Sequence, residues 1–266
     1  MLKQIVKKKM VGKAKYQSFW EKINMYSLIG MNLTEGGDCG SDDGEEWVLN
    51  YLSNYRTNSI NKNRRVIFDV GANVGKWSRL ARKYFPDDII YAFEPAKDTY
   101  NALVKNCQCD KVICANIGLG ENNDDALLYS NYSGSGLASL YNRDISQFEI
   151  QMDVVEHVKI ESLDRFCTEN DIERIFFLKL DVEGNELSVL KNSMNMINNN
   201  AIDWIQMEFG GCNIDSRTFF RDFWRLLFPQ YKFHRIVKDG LVEIKSYEER
   251  HEQFLCSNLL LERVMK

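Results

Sequence analysis

Val66-Ile67-Phe68-Asp69-Val70 is a β-branched and aromatic run that passes directly into Gly71-Ala72-Asn73-Val74-Gly75. No other feature constrains the fold as much. A short apolar strand closed by glycines and followed by a helical pattern opens an α/β sheet, with a ligand loop at the strand's carboxyl end. The helical pattern runs from Gly75 to Phe85 and stops at Pro86. Ile89 to Phe93 is the next apolar strand, closed by Glu94-Pro95; Lys97 to Cys107 reads as a helix and Val112 to Asn116 as a third strand. Right-handed crossovers turn this alternation into a parallel sheet with helices on both faces.

The middle of the chain is less regular. Ala126 to Ser130 and Val154 to Ile160 are expected strands around a polar loop, Asn131 to Asn142, whose Gly134, Gly136 and hydroxyls suit a lid. The α/β rhythm resumes with a helix at Leu163 to Asn170 and an apolar strand at Ile175 to Leu180 ending in Asp181. A helix at Glu186 to Ile197 and a strand at Trp204 to Phe209 follow, then an aromatic helix around Phe219 to Phe228. Strands near Lys232 to Val237 and Asn258 to Arg263 are expected at an antiparallel edge, since no crossover helix separates them. Upstream, a Gly/Asp/Ser cluster from Gly36 to Gly44 precedes a helix carrying Trp47, Val48, Tyr51 and Leu52, with Asp42 or Asp43 as its cap. Residues 1–60 are thus expected as a helical extension and residues 61–266 as the α/β domain.

Composition removes several classes. With 44% apolar residues in 266, the chain can bury a full core. The 34 Lys and Arg against 38 Asp and Glu give a net charge of −4, so no nucleic-acid partner is expected. Lys3, Lys7, Lys8, Lys9, Lys13 and Lys15 make the first sixteen residues basic, without the apolar run of a secretory signal. That end reads either as a solvated terminus or as a contact for an anionic membrane or polymer. No stretch approaches the roughly 20 apolar residues of a spanning helix. The seven cysteines are odd in number and form no Cys-x-x-Cys, and Cys107 and Cys109 have no nearby histidine. Free thiols, no structural zinc and a cytoplasmic location are expected.

The glycine loop is not a dinucleotide fingerprint, because Asn73 and Lys76 stand where further glycines belong, and it lacks the Gly-Lys-Ser/Thr of a phosphate loop. Asp69 before the loop suits a cationic ligand. Glu94, 25 residues later at the end of the second strand, suits ribose hydroxyls. An adenosyl sulfonium with an amino-acid tail meets both requirements.

On these residues the chain resembles the FkbM family of S-adenosylmethionine-dependent methyltransferases. Asp69 to Gly75 with Ser78 resembles the family's first motif and Phe93-Glu94-Pro95 its second. Ser162-Leu163-Asp164 leads into the next helix, and Lys179-Leu180-Asp181-Val182-Glu183-Gly184-Asn185-Glu186 is the most diagnostic segment. Glu208 and Asn258-Leu259-Leu260-Leu261 extend the likeness, which covers about Trp47 to Arg263. It implies a class I, Rossmann-like α/β fold: a seven-stranded, mostly parallel sheet with helices on both faces, an antiparallel C-terminal strand and extra N-terminal helices. It also implies S-adenosylmethionine as cofactor and a hydroxyl acceptor, often on a sugar or polyketide.

Asp69, Gly71, Asn73, Gly75, Ser78, Glu94, Pro95 and Asn116 are the expected cofactor residues, and Lys179, Asp181, Glu183 and Glu208 the expected catalytic set. Lys179 and Asp181 share a strand face, and a lysine in an apolar strand needs a partner. Glu186 reads equally well as a helix N-terminal charge. Asp181 and Glu208 at adjacent strand ends would suit Mg²⁺, although no spacing requires it. His157 and His251 read as exposed, and His234 as a core or edge residue with a lesser claim as a base. A sugar or nucleotide-sugar acceptor and a possible homo-oligomer complete the reading. A nicotinamide-dependent oxidoreductase and a non-catalytic methyltransferase-like binding protein are the alternatives.

Overall fold

The computed structural model describes residues 10–33, 44–55 and 65–264. Lys3, Lys7, Lys8, Lys9, Asp42 and Asp43 lie outside them. Helix α1 (Gln17–Gly30) precedes α2 (Glu45–Asn54), and the α/β rhythm starts with β1 (Val66–Val70), α3 (Lys76–Tyr84), β2 (Ile89–Phe93), α4 (Lys97–Asn106) and β3 (Val112–Ala115). Next come β4 (Gly118–Leu119), β5 (Asn123–Ser130), β6 (Val154–Glu161), α5 (Leu163–Glu169) and β7 (Ile175–Leu180). The chain continues through α6 (Glu186–Lys191), α7 (Met194–Asn198), β8 (Ile202–Phe209), α8 (Cys212–Asp215) and α9 (Phe220–Leu227), and closes with β9 (Tyr231–Val237), β10 (Gly240–Ile244) and β11 (Ser257–Arg263).

The main sheet has the order β10-β9-β11-β8-β7-β1-β2-β3. Strands β3, β2, β1, β7 and β8 are mutually parallel, whereas β11 pairs antiparallel with both β8 and β9, and β10 antiparallel with β9. Among the described residues the sheet therefore has eight strands rather than the expected seven, because a β9–β10 hairpin adds an outer strand. Strands β9 and β11, both expected at the edge, are interior, and β10 forms the edge. Leu259, Leu260 and Leu261 are all buried, which fits a strand covered on both faces.

Helices cover both faces. On one, Ile67, Ile90, Phe177, Trp204 and Leu260 pack against Val48, Leu49 and Leu52 of α2 and Trp77 and Ala81 of α3. Trp204 meets the edges of Tyr51 and Tyr55 at centroid distances of 6.0 and 5.1 Å. On the other, Phe68, Phe93, Leu178, Ile205 and Phe209 pack against Leu163 and Phe166 of α5, Leu187 and Leu190 of α6, and Phe220, Phe223 and Leu227 of α9. The expected Glu186–Ile197 helix is broken into α6 and α7. Ser193 Oγ donates to the Val189 carbonyl at 2.6 Å and Asn192 Nδ2 to that of Ser188 at 2.9 Å, so side chains compete for the backbone where the helix stops.

A second sheet, β4-β6-β5, stands apart. One of its faces buries Ala126, Leu128, Val158 and Ile160 against Ala96. The order of the main sheet reverses between β1, which leads outward to β2, and β7, which leads outward to β8. The carboxyl ends of β1 and β7 thus flank a switch-point crevice, where open α/β sheets bind ligands.

The expectation of uniformly free cysteines is corrected at one position. Cys107, Cys109, Cys114, Cys167 and Cys212 are free, but Cys256 is disulfide-bonded. Thiol usage therefore gives no support to a reducing compartment. No helix among the described residues is long and apolar enough to cross a membrane.

Candidate active site

The crevice is a cleft of about 170 Å³, partly open to solvent. Its first wall is the β1 loop. Gly71 and Ala72 donate their backbone N–H groups to the Phe93 carbonyl at 3.1 and 2.9 Å, which bends the chain back over β2. Gly71 holds φ +83°, and a Cβ there would stand 1.8 Å from the Asp181 carbonyl oxygen. Only glycine lets the β1 and β7 loops approach this closely. Gly75, at φ +83°, lies against the carboxyl-terminal end of α4 rather than facing the cleft. A Cβ there would strike Cys107 Sγ and Leu103 Cδ1 of α4 at 2.5 and 2.8 Å.

The second wall carries Glu94. Its Oε2 accepts from the Asn73 N–H at 3.0 Å and its Oε1 from the Ala96 N–H at 2.9 Å, so one buried carboxylate ties the β1 loop to the β2 loop. Burial pushes this carboxyl up to about 7, against the pull of those two amides. Each oxygen keeps a further lone pair for a ligand hydroxyl. Asn73, at φ +47°, reaches the Ser135 carbonyl with Nδ2 at 3.3 Å. That contact places the Asn131–Gly136 loop against the cleft, with Ser135 and Gly136 in its lining.

Behind the floor runs a buried polar row. Asp69, Lys179 and Gln206 are in register across β1, β7 and β8 and so share one sheet face. Asp69 is fully buried; its Oδ2 accepts from Ser78 Oγ at 2.6 Å, while Oδ1 has no hydrogen-bond partner and faces Lys179 Nζ at 3.9 Å. Lys179 donates to Asp181 Oδ2 at 2.8 Å and lies 5.6 Å from the Trp77 ring. Gln206 Nε2 donates to Glu45 of α2 at 2.6 Å. Burial would lower the Lys179 ammonium, but Asp181, Glu45 and Asp69 outweigh it and hold the lysine above its ordinary range. Burial raises the Asp69 carboxyl, opposed chiefly by Lys179 and then by Ser78.

Asp181 projects into the cleft, its side chain 42% exposed against 17% for Glu183. Glu183 adopts φ +52°, a strained conformation for a residue with a side chain. Its carboxylate pairs with Arg143, and its carbonyl accepts from Ser139 Oγ at 2.7 Å. Burial, reinforced by Asp181, pushes Glu183 up to about 8 although Arg143 opposes it. Glu186 Oε1 accepts from the Val182 and Gly184 N–H groups at 3.1 and 3.2 Å and thereby shapes the loop that presents Asp181 and Glu183. Burial likewise pushes Glu186 up to about 7. Glu208, at the end of the adjacent β8, is driven well above its ordinary value by burial and then by Asp181, Glu183 and Glu186.

Of the expected cofactor residues, Gly71, Asn73, Glu94 and Pro95 line the cleft. Asp69 and Ser78 lie beneath it, Gly75 supports the loop, and Asn116 donates to the Glu94 and Pro95 carbonyls at 3.0 and 2.8 Å from behind. Of the catalytic set, Asp181 and Glu183 line the cleft, Lys179 sits under Asp181, and Glu208 neighbours them without lining it. The Mg²⁺ option finds little support. Asp181 already holds an ammonium, and no group of three or more His, Cys, Asp or Glu among the described residues could hold a metal. His157 pairs with exposed Asp125, His251 accepts from the Glu248 N–H, and His234 lies within β9; none lines the cleft.

A family model described as "Methyltransferase FkbM domain" matches residues 69–235, which include the whole cleft. The chain belongs to the FkbM methyltransferase family. A curated relative, "Methyltransferase 1" of Beauveria bassiana, is 28% identical over 144 residues, covering 47% of this chain and 57% of the relative. Among solved structures, an FkbM methyltransferase from Methylobacillus flagellatus aligns with a TM-score of 0.42 at 15% identity, over 79% of this chain and 47% of that one. A human methyltransferase 10 domain-containing protein aligns with a TM-score of 0.46 at 10% identity, over 91% and 93%. The chain thus spans little more than half of the curated relative and about half of the Methylobacillus flagellatus protein, and residues 69–235 form an FkbM methyltransferase domain, of a family that uses S-adenosylmethionine as methyl source.

Sequence reasoning missed several parts of this FkbM site. Arg143, the partner of Glu183, comes from an irregular loop with no periodic signal. Gly118 and Leu119 form a two-residue strand too short for any pattern, and Leu128, Leu140 and Ile160 supply an apolar wall. For Leu128 and Ile160 a signal existed, since both strands alternate and bury one face.

Proposed function

We propose that the protein transfers a methyl group from S-adenosylmethionine to a hydroxyl of a sugar or sugar-containing acceptor. When bound, the cofactor supplies an electrophilic methyl group on a sulfonium. Glu94, Asn73, Gly71 and Pro95 would hold it, with Gly118 and Leu119 beside them. The residues present fit such a cation. Glu94, Asp181 and Glu183 line the cleft, and among the described residues no lysine or arginine does.

One observation carries the reading. The buried Lys179 ammonium, 2.8 Å from Asp181, fixes a carboxylate that opens onto the same cleft as Glu94. A hydroxyl must lose its proton as it is methylated, and general-base assistance is typically worth about 10²–10⁴-fold. Asp181 takes that proton; Lys179 positions it, and Glu183 with Arg143 fixes the loop beside it. The acidic lining favours an uncharged polyhydroxylated acceptor over a nucleotide-activated sugar, whose diphosphate would meet carboxylates.

The test is methyl transfer from labelled S-adenosylmethionine to a panel of neutral oligosaccharides and nucleotide sugars, with the product bond assigned by NMR. An O-methyl product is expected from a neutral acceptor, with Asp181→Asn turning over at least about 100-fold slower while still binding cofactor. A methyl on nitrogen or carbon, or full activity in Asp181→Asn, refutes the reading.

A further inference from the structure

The first thirty residues carry Lys3, Lys7, Lys8, Lys9, Lys13, Lys15 and Lys22 against a single acid, Glu21. Seven lysines less one acid give +6, which leaves −10 on the remainder of a chain whose net charge is −4. Helix α1 lies within this basic segment and buries none of its residues. Phe19, Ile23, Met25, Tyr26 and Ile29 are 48, 44, 48, 69 and 56% exposed. Phe19, Ile23 and Tyr26, spaced i, i+4, i+7, stand on one face of the helix, with Ile29 and Lys22 beside them. The helix is tethered at its carboxyl end, where Leu33 is buried and Asn32 Nδ2 donates to the Ile236 carbonyl of β9 at 3.4 Å.

We propose that α1 docks this methyltransferase on an anionic membrane surface. Phe19, Ile23 and Tyr26 enter the headgroup–acyl boundary, and the flanking lysines meet acidic lipid headgroups. Charge selects this occupant. A second copy would bring two +6 segments together, whereas an anionic surface complements the segment and repels the −10 body, which leaves the helix as the contact. The apolar stripe favours a lipid boundary over a soluble polyanion, because a polyanion offers these rings nothing to enter. Each lysine near such a surface strengthens binding about five-fold.

The full-length protein is sedimented with phosphatidylcholine vesicles, with and without roughly one-third phosphatidylserine. Binding to the anionic vesicles alone is expected. Lys13→Glu/Lys15→Glu/Lys22→Glu should weaken it by at least about 100-fold and Phe19→Ser/Ile23→Ser/Tyr26→Ser by at least about ten-fold. Both variants should unfold at the wild-type temperature, since the altered side chains are not buried. Failure to bind, equal binding to both vesicle types, or wild-type binding by the apolar-stripe variant overturns the proposal. So does a concentration-dependent dimer that the stripe variant abolishes, which would assign the face to a second copy.

Discussion

Lys179→Met tests the buried ionic row. The substitution keeps the length and apolar stem of the side chain but removes the ammonium that faces Asp69 Oδ1 at 3.9 Å and Asp181 Oδ2 at 2.8 Å. Asp181 remains in contact with solvent; Asp69, fully buried, does not. Removing one partner of a buried pair costs about 3–5 kcal/mol because the other charge is left uncompensated. At 2–4 °C per kcal/mol for a chain of this size, the unfolding midpoint should fall by roughly 6–20 °C near neutral pH.

The pH dependence gives the sign. Asp69 is already raised by burial and held back by Lys179, so the variant moves it further up. A carboxyl with a raised folded value keeps a proton that the unfolded chain has lost. Its stabilising share is full below the unfolded value and disappears as pH rises through the folded one. The deficit of Lys179→Met should therefore be small near pH 4 and grow as pH rises toward neutrality. Lys179→Met/Asp69→Asn should recover most of it, since neither charge is then buried alone. The assay is urea denaturation across that range. A deficit under about 1 kcal/mol, or one independent of pH and unrelieved by the second substitution, refutes the reasoning.

Other outcomes follow from the same geometry. Glu94, Glu186 and Glu183 have folded values of about 7, 7 and 8, all raised, so the ligand-free protein should lose stability as pH rises from about 4.5 to 8; Glu94→Gln should flatten part of that slope in thermal melts. Gly71→Ala sets a Cβ 1.8 Å from a backbone oxygen, and its cofactor affinity by equilibrium dialysis should fall at least about ten-fold. Trp204→Ala empties the contact with Tyr51 and Tyr55 and should cost about 3–5 kcal/mol in denaturation, without changing the cofactor affinity of the protein that remains folded.

Much of the architecture was readable in the chain because strands buried on both faces leave unbroken apolar runs. The boundaries expected for Ile175–Leu180 and Ile89–Phe93 are those observed. Legibility failed where structure depends on contacts distant in sequence. Strand β10 pairs Leu241 and Val242 back on Ile236 and Arg235, and although Asp239-Gly240 marks a turn, the short Leu241-Val242 run gives no strand pattern of its own. The Leu259-Leu260-Leu261 run did announce an interior strand, but its closeness to the chain end suggested an edge. At the site, Asp69, Glu94 and Asp181 were legible because acids at strand ends stand out from apolar sequence. Which of them meets the cleft and which lies beneath it depends on strand register, and the Arg143–Glu183 pair depends on a loop fold that no local pattern encodes.

The central claim is that the acids following β2 and β7, Glu94 with Asp181 and Glu183, line a cleft for a cationic methyl donor, and calorimetric titration of S-adenosylmethionine into the wild type and Glu94→Gln measures it most directly. The account predicts saturable one-site binding with proton release near pH 7, as the cation drives raised carboxyls to ionise, and at least a ten-fold weaker association in the variant. Absence of binding by the wild type, or equal affinity in the two proteins, would contradict it.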